Sequence, residues 1–362
     1  MSAPFPFGFP LATAGYLSLY VITLLIHVAF MNYVLAGSSY MLLTSFNRRP
    51  SEATALWRKL LIDWLPFATG LAITAGVAPL LFIQILYQTP FYSANLLLSH
   101  RWMLILPVLL MCFYLLYLQK SKWLAARNGL WRIPVVLLIF LGFGFIAFSW
   151  TENHLLSLDQ PAWASFYGQG RLFYQSALLP SRLAMWFIGA FTTFACLLMW
   201  QVKWTPGLAD KVTPAAWRQL GSLALAGLTL AGIAAVIHLA TIPATTRAHV
   251  LGWVGGPWLA IAVAGAMLQT TGWLHVIRHA TPSALARTLI TTGCIATIAG
   301  MAVVREVMRL SSVDLPILEA QHREAMNSGG FIIFLLFFAA NAATITWCSV
   351  QVRRAIMIAP QT

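Results

Sequence analysis

Ionisable side chains inside long apolar segments are the residues of this sequence best placed to do chemistry. His27 lies in LLIHVAFMNYVLAG, near the middle of the first apolar segment. A neutral imidazole in such a place can ligate haem iron, carry a proton or hydrogen-bond a neighbouring helix. Because imidazole and charge are costly in hydrocarbon, His27 is a candidate functional residue, with a purely structural role as the alternative.

A group of three charges ends the eighth apolar segment, in GMAVVREVMRL. Arg305 and Arg309 are four residues apart and share a helix face, and Glu306 lies three residues before Arg309. These groups could neutralise one another, bind haem propionates or a quinone headgroup, or supply Glu306 as a carboxylate ligand to a metal. We expect them inside the helix bundle, facing the first span and His27. The alternative is an interfacial cluster just above the hydrocarbon.

Histidines and arginines also fall at the ends of three other apolar segments, all at one predicted depth. His238 ends the sixth segment, His249 opens the seventh, and Arg247 lies in the connection between them. His100 and Arg101 open the third segment at the same level. Brought together, these five side chains would suit an anionic or quinonoid ligand. Histidines at segment ends are common, so solvated positions are the alternative.

The composition places these residues in a membrane. Of 362 residues, 60% are hydrophobic and only 9% are charged, whereas soluble domains carry about a quarter charged residues. Apolar runs of about 20 residues, enough to cross a bilayer, recur along the whole chain. The sequence therefore predicts one all-α membrane domain over residues 1–362, a bundle of nine transmembrane helices. The predicted spans are 13–43, 64–88, 101–119, 133–150, 182–202, 219–240, 249–275, 288–308 and 330–352.

The distribution of basic residues predicts the orientation. With the N-terminus outside and the C-terminus in the cytoplasm, most of the 22 Lys and Arg residues fall in cytoplasmic loops, as the positive-inside rule requires. The net charge of +13 is thus a topology signal and does not indicate nucleic-acid binding. Two outer segments have room for structure: 151–181, predicted to hold an interfacial amphipathic helix, and 310–328, predicted to cap the bundle.

Three of the predicted spans carry short motifs. The first span carries a histidine followed by an aromatic residue and Leu-Gly, the second a Gly-Val-Ala motif followed by Phe-Gln, and the eighth a glutamate near its end. The residues of these motifs are His27, Phe30, Leu35, Gly37, Gly76, Val77, Ala78, Phe82, Gln84, Gly300, Glu306 and Arg309. Together with the nine predicted spans and the outer N-terminus, they resemble the haem-bearing subunit I of cytochrome bd-type quinol oxidases.

The sequence also departs from that family at functional positions. Between the sixth and seventh spans, the segment LATIPATTRA stands in place of a long quinol-binding loop. Ala184 occupies the expected position of a haem-ligating histidine, while Met267 could correspond to a partner methionine. The third span, LILPVLLMCFYLLYL, lacks the carboxylates that deliver protons to oxygen in the family. We therefore do not expect this chain to reduce oxygen.

The resemblance implies an integral subunit of a respiratory electron-transfer complex in the bacterial inner membrane. In that reading His27 holds haem b, with Glu306 as the candidate second ligand. The outer histidines and arginines contact haem propionates or quinol. Electrons would pass between the quinone pool and a periplasmic c-type cytochrome, in contact with other membrane subunits. The alternatives are a haem-free scaffold that anchors a redox partner and, third, a small-molecule transporter.

Overall fold

The computed structural model describes residues 3–47, 49–127, 129–170 and 172–358. This part of the chain is mainly helical and contains nine helical segments long and apolar enough to cross a membrane, which confirms the predicted all-α multi-span fold. The helices are α1 (Leu11–Ser45), α2 (Glu52–Leu86), α3 (Gln88–Leu98), α4 (His100–Met103), α5 (Ile105–Lys120), α6 (Lys122–Ala125), α7 (Gly129–Leu158), α8 (Ala162–Gly168), α9 (Leu178–Trp204), α10 (Pro214–Thr241), α11 (Ala244–Leu251), α12 (Gly256–His279), α13 (Ala284–Leu310), α14 (Leu315–Asn327) and α15 (Gly330–Ile358).

Several helices begin before their apolar segments do, because a polar side chain caps them. Ser51, Thr213 and Ser283 each accept a hydrogen bond from the backbone N–H three residues further on, at the starts of α2, α10 and α13. Such caps satisfy backbone donors that a helix start leaves unpaired. Hydropathy alone therefore placed these starts too late, most of all for α2, which begins at Glu52 rather than at residue 64.

Two helix boundaries differ from the prediction, and each difference changes the element to which a histidine belongs. Helix α7 continues to Leu158, so the polar sequence TENH at 151–154 is a buried part of a spanning helix, not the start of an outer loop. The expected interfacial helix is reduced to the short α8. His249 lies on the separate helix α11 and does not open the seventh span, which begins at Gly256.

Helices α12 and α13 pack closely because glycines remove side chains from their contact. A Cβ atom at Gly293 would lie 2.5 Å from the carbonyl oxygen of Gly265, and one at Gly300 would lie 2.5 Å from the carbonyl oxygen of Trp258. Small residues of this kind let membrane helices approach closely. This contact fixes α13, whose last turns carry Arg305, Glu306 and Arg309.

We expect Gly293→Ala to destabilise the protein, because the added methyl group must push α12 and α13 apart. Overpacking of this kind typically costs about 1–3 kcal/mol. Gly232→Ala is the matched control, since a Cβ atom there has no neighbour within 4 Å. Thermal unfolding of both variants in detergent measures the difference; equal melting temperatures would contradict the close contact.

Candidate functional site

The centre of the site is the carboxylate of Glu306, which is fully buried. Its Oε1 atom accepts hydrogen bonds from Nε of Arg305 at 3.0 Å and from Nη2 of the same residue at 2.9 Å. Its Oε2 atom accepts from the hydroxyl of Tyr87 at 2.8 Å and from Nη1 of Arg309 at 3.4 Å. The three charges of α13 therefore pair inside the bundle, at the end where α1 begins.

Two tyrosines contact these arginines. Nη2 of Arg305 donates to the hydroxyl of Tyr20 at 2.7 Å, and the guanidinium of Arg309 lies 4.5 Å from the ring centroid of Tyr87. Burial and the nearby Glu306 carboxylate raise the pKa of Tyr87, so it remains a hydroxyl donor. The sequence reasoning had singled out neither tyrosine.

The cluster faces α1, as expected, but at Tyr20 and not at His27. His27 follows Tyr20 by seven residues, which places it about 10 Å further along the same helix face. The carboxylate of Glu306 forms no hydrogen bond with His27 in the described part of the chain, and both of its oxygens already have donors. Glu306 in this arrangement does not fit the role of an iron ligand beside His27.

His154 joins the cluster from the C-terminal end of α7. Its Nδ1 atom contacts Nη2 of Arg309. A guanidinium can only donate, so Nδ1 must be the acceptor and Nε2 must carry the ring proton. That Nε2 atom is buried and has no hydrogen-bond partner among the described residues. His154 was not among the predicted candidates, because it falls in the stretch 151–181 that the sequence predicted to be an outer segment.

Arg182 and His238 approach the same region from α9 and α10. His238 is buried, and its Nδ1 lies 2.9 Å from the hydroxyl oxygen of Ser181, the residue before Arg182. That hydroxyl also lies 3.1 Å from the carbonyl oxygen of Leu178, and Nε2 of His238 is buried without a hydrogen-bond partner among the described residues. Arg182 is only 4% exposed, and Arg305, Arg309 and Glu306 are among its charged neighbours.

Arg101 belongs to a second, internally paired cluster at the C-terminal part of α7. Its Nη2 lies 2.5 Å from Oε2 of the fully buried Glu152, whose Oε1 accepts from the backbone N–H of Tyr174, also at 2.5 Å. The Tyr174 hydroxyl donates to Asp159 at 2.6 Å, and burial together with that carboxylate raises its pKa. These contacts fold the segment 172–177 back onto α7.

The other residues of the expected outer group do not reach the buried cluster. His100 is exposed and bonds to the hydroxyl of Ser99. Arg247 donates to the carbonyl of Ala240, and Nδ1 of His249 bonds to the carbonyl of Thr245 within α11. Of the five histidines and arginines predicted to form one outer group, only His238 enters the buried cluster. Arg101 pairs with Glu152 of α7, and the other three bond to a backbone carbonyl or a side chain close to them in the sequence.

His27 has the geometry of a positioned imidazole ligand. Its Nδ1 lies 3.0 Å from the carbonyl oxygen of Ala72, so Nδ1 carries the proton and the lone pair is on Nε2. The ring packs on Gly76, where a Cβ atom would come within 2.9 Å of Cε1. In metal-bound histidines, a carbonyl oxygen commonly accepts a hydrogen bond from the other ring nitrogen and so fixes the tautomer. Met267, the candidate partner residue, is 64% exposed on α12.

His322 is a further buried histidine that the sequence reasoning had set aside. It lies on α14, the helix expected to cap the bundle, and its Nε2 donates to the carbonyl of Leu86 at 3.1 Å. Its Nδ1 then accepts from the hydroxyl of Thr13 at 3.0 Å. Burial lowers its pKa, which keeps it neutral. His322 thus joins α14 to α1 and α2 beside Tyr87, and it has no bonding position left for a ligand.

We expect Glu306→Gln to be more destabilising than Arg309→Ala. Arg309 is one of two counter-charges of Glu306. In the structure Arg305 also pairs with Glu306, and losing the carboxylate leaves buried arginines without any negative charge. Removing one partner of a buried ion pair typically costs about 3–5 kcal/mol.

Thermal unfolding in detergent measures this order. Glu324→Gln, which alters an exposed carboxylate on α14, is the control and should shift stability little. A wild-type melting temperature for Glu306→Gln would contradict the paired geometry.

Comparisons with known proteins leave the function to be argued from this geometry. The sequence matches no protein-family model and no curated protein sequence. The described residues contain no group of three or more His, Cys, Asp or Glu side chains arranged to hold a metal ion. A haem needs only one or two axial ligands, and His27 fits that requirement.

Proposed function

We propose that the chain is an integral membrane subunit of an electron-transfer complex and that His27 ligates haem b. The observation that carries this proposal is the fixed tautomer of His27, with Nδ1–H held by the Ala72 carbonyl and Nε2 free. A bound haem supplies a one-electron carrier. Around it the chain's own residues orient the imidazole through Ala72, leave space at Gly76 and exclude water.

The surface beside His27 supports this assignment. Ile26, Ile73 and Val77 flank the histidine on α1 and α2, and each is at least 40% exposed. A half-buried imidazole at the edge of an exposed apolar face offers its lone pair to a flat apolar group lying on that face. A second membrane subunit would then cover the other side of the macrocycle, in agreement with the subunit partnership that the resemblance implies.

The location of the charged cluster supports exchange with a quinone and with a partner outside the membrane. Tyr20 and the arginines of α13 lie about 10 Å from His27 towards the end where α1 begins. The orientation predicted from basic residues places that end at the outer, periplasmic surface of a bacterial inner membrane. We propose quinol and a periplasmic c-type cytochrome as the electron-exchange partners there. We do not propose oxygen reduction, because α5 carries no carboxylate.

A haem-free scaffold is the second candidate, and α15 is the observation that favours it. The apolar part of α15, Gly330–Cys348, buries none of its residues within this chain. Such a helix is suited to contact with lipid or with another membrane subunit. This surface would serve an anchoring subunit equally well without any haem at His27.

The reduced-minus-oxidised visible spectrum of the purified protein distinguishes the two candidates. We expect a b-type band in the wild type and its loss in His27→Ala, because the variant lacks the axial nitrogen. His249→Ala is the matched control, since that imidazole is satisfied within α11, and it should retain the band. Membrane insertion should not change in either variant. Absence of the band in the wild type, or equal haem content in His27→Ala, would leave only the scaffold.

A further inference from the structure

The buried cluster around Glu306 has more positive than negative charge. Arg182, Arg305 and Arg309 carry three positive charges, and Glu306 carries one negative charge. Both neighbouring histidines are neutral, because His154 accepts from Arg309 at Nδ1 and His238 is buried beside Ser181 and Arg182, with no carboxylate bonded to it. The formal excess of two positive charges lies among side chains that are buried or nearly so. Uncompensated charge in such a place strongly disfavours the folded state.

No carboxylate elsewhere in the chain balances this excess. All nine Asp and Glu residues lie in the described part of the chain, and within it Arg182 forms no ion pair and no hydrogen bond. The remaining acidic side chains cap helices, pair with other residues or lie on α14 and in connections; they are Glu52, Asp63, Glu152, Asp159, Asp210, Asp314, Glu319 and Glu324. The negative end of the α13 dipole favours Arg309, but Arg182 lies in the first turns of α9, at the positive end.

Several buried donors in the same cluster lack acceptors. Nε of Arg182, Nε of Arg309 and the protonated Nε2 of His154 have no hydrogen-bond partner in the described residues. Buried polar atoms are nearly always paired, so a group of unpaired donors with one excess sign of charge indicates a missing acceptor. An anionic oxygen would accept hydrogen bonds from these donors and would also neutralise the excess positive charge.

We propose that Arg182, Arg309 and His154 form a binding site for a ligand with two carboxylate groups. Guanidinium groups match carboxylates in planar, two-pronged hydrogen bonds, and two such groups would cancel the excess charge. The pair of carboxylates could be the propionates of a tetrapyrrole or belong to a free small dicarboxylate. The unpartnered Nε2 of His238 would bond to a hydroxyl group or water beside the ligand. This site does not require that His27 bind haem.

Thermal unfolding of the full chain in detergent, with and without succinate, tests the proposal. Sodium chloride at equal ionic strength corrects for screening. We expect succinate to raise the melting temperature, since a ligand that binds only the folded state stabilises it. Arg182→Gln should abolish that rise. The same substitution should raise the melting temperature of ligand-free protein, because it removes an unpaired buried charge. Arg247→Gln, outside the cluster, should keep the wild-type response.

His27→Gln, which keeps a donor for the Ala72 carbonyl but is a poor haem ligand, identifies the source of the carboxylates. A succinate response that appears only in His27→Gln supports the site and indicates that haem propionates fill it in the wild type. A response in both proteins supports the site and indicates a free dicarboxylate. The proposal is overturned if succinate stabilises neither protein, or if adding Arg182→Gln to the protein that responds leaves the rise in melting temperature unchanged. Absence of haem from the wild type, with the succinate response intact, contradicts only the proposed function.

Discussion

The buried carboxylate of Glu306 is the interaction on which the end of this bundle depends. Among the described residues it is the only negative charge that pairs with Arg305 and Arg309, and those arginines in turn bond Tyr20 on α1 and contact His154 on α7. Tyr87, just after α2, donates to the same carboxylate. One side chain therefore connects four regions that are far apart in the sequence. In hydrocarbon these bonds have little competition from water, so the geometry of the cluster is tightly constrained.

The helix packing below this cluster determines where its charges lie. The glycine contacts between α12 and α13 bring two backbones together, so the last turns of α13 point inwards against α1. At the same cluster, the Ser181–His238 hydrogen bond joins α9 to α10 next to Arg182. The same packing that buries Glu306 favourably also buries Arg182 without a partner. A protein that keeps such a charge needs something else to neutralise it, and this requirement connects the fold to ligand binding.

Much of the fold follows from the sequence, because a helix that crosses a bilayer must have a minimum length and an apolar composition, and both can be read from the sequence. All nine spans were predictable in this way. The ends of the helices were harder to predict. Caps such as Ser51 extend helices beyond their apolar segments, and the polar residues 151–154 are buried and still belong to α7. Glu306 and its two arginines were predictable as a unit because they share one helix face. Arg182 and His154 were not, since each lies on a different helix and single-helix spacing does not report contacts between helices.

The central claim is that the cluster at this end of the bundle is a ligand site and not merely a structural ion-pair network. A cryo-electron microscopy map of the purified chain tests it most directly. The account predicts non-protein density in contact with the guanidinium of Arg182 and with Nε2 of His154. A map in which Arg182 pairs with a carboxylate of this chain, or extends into bulk water with no added density in the cluster, would contradict it.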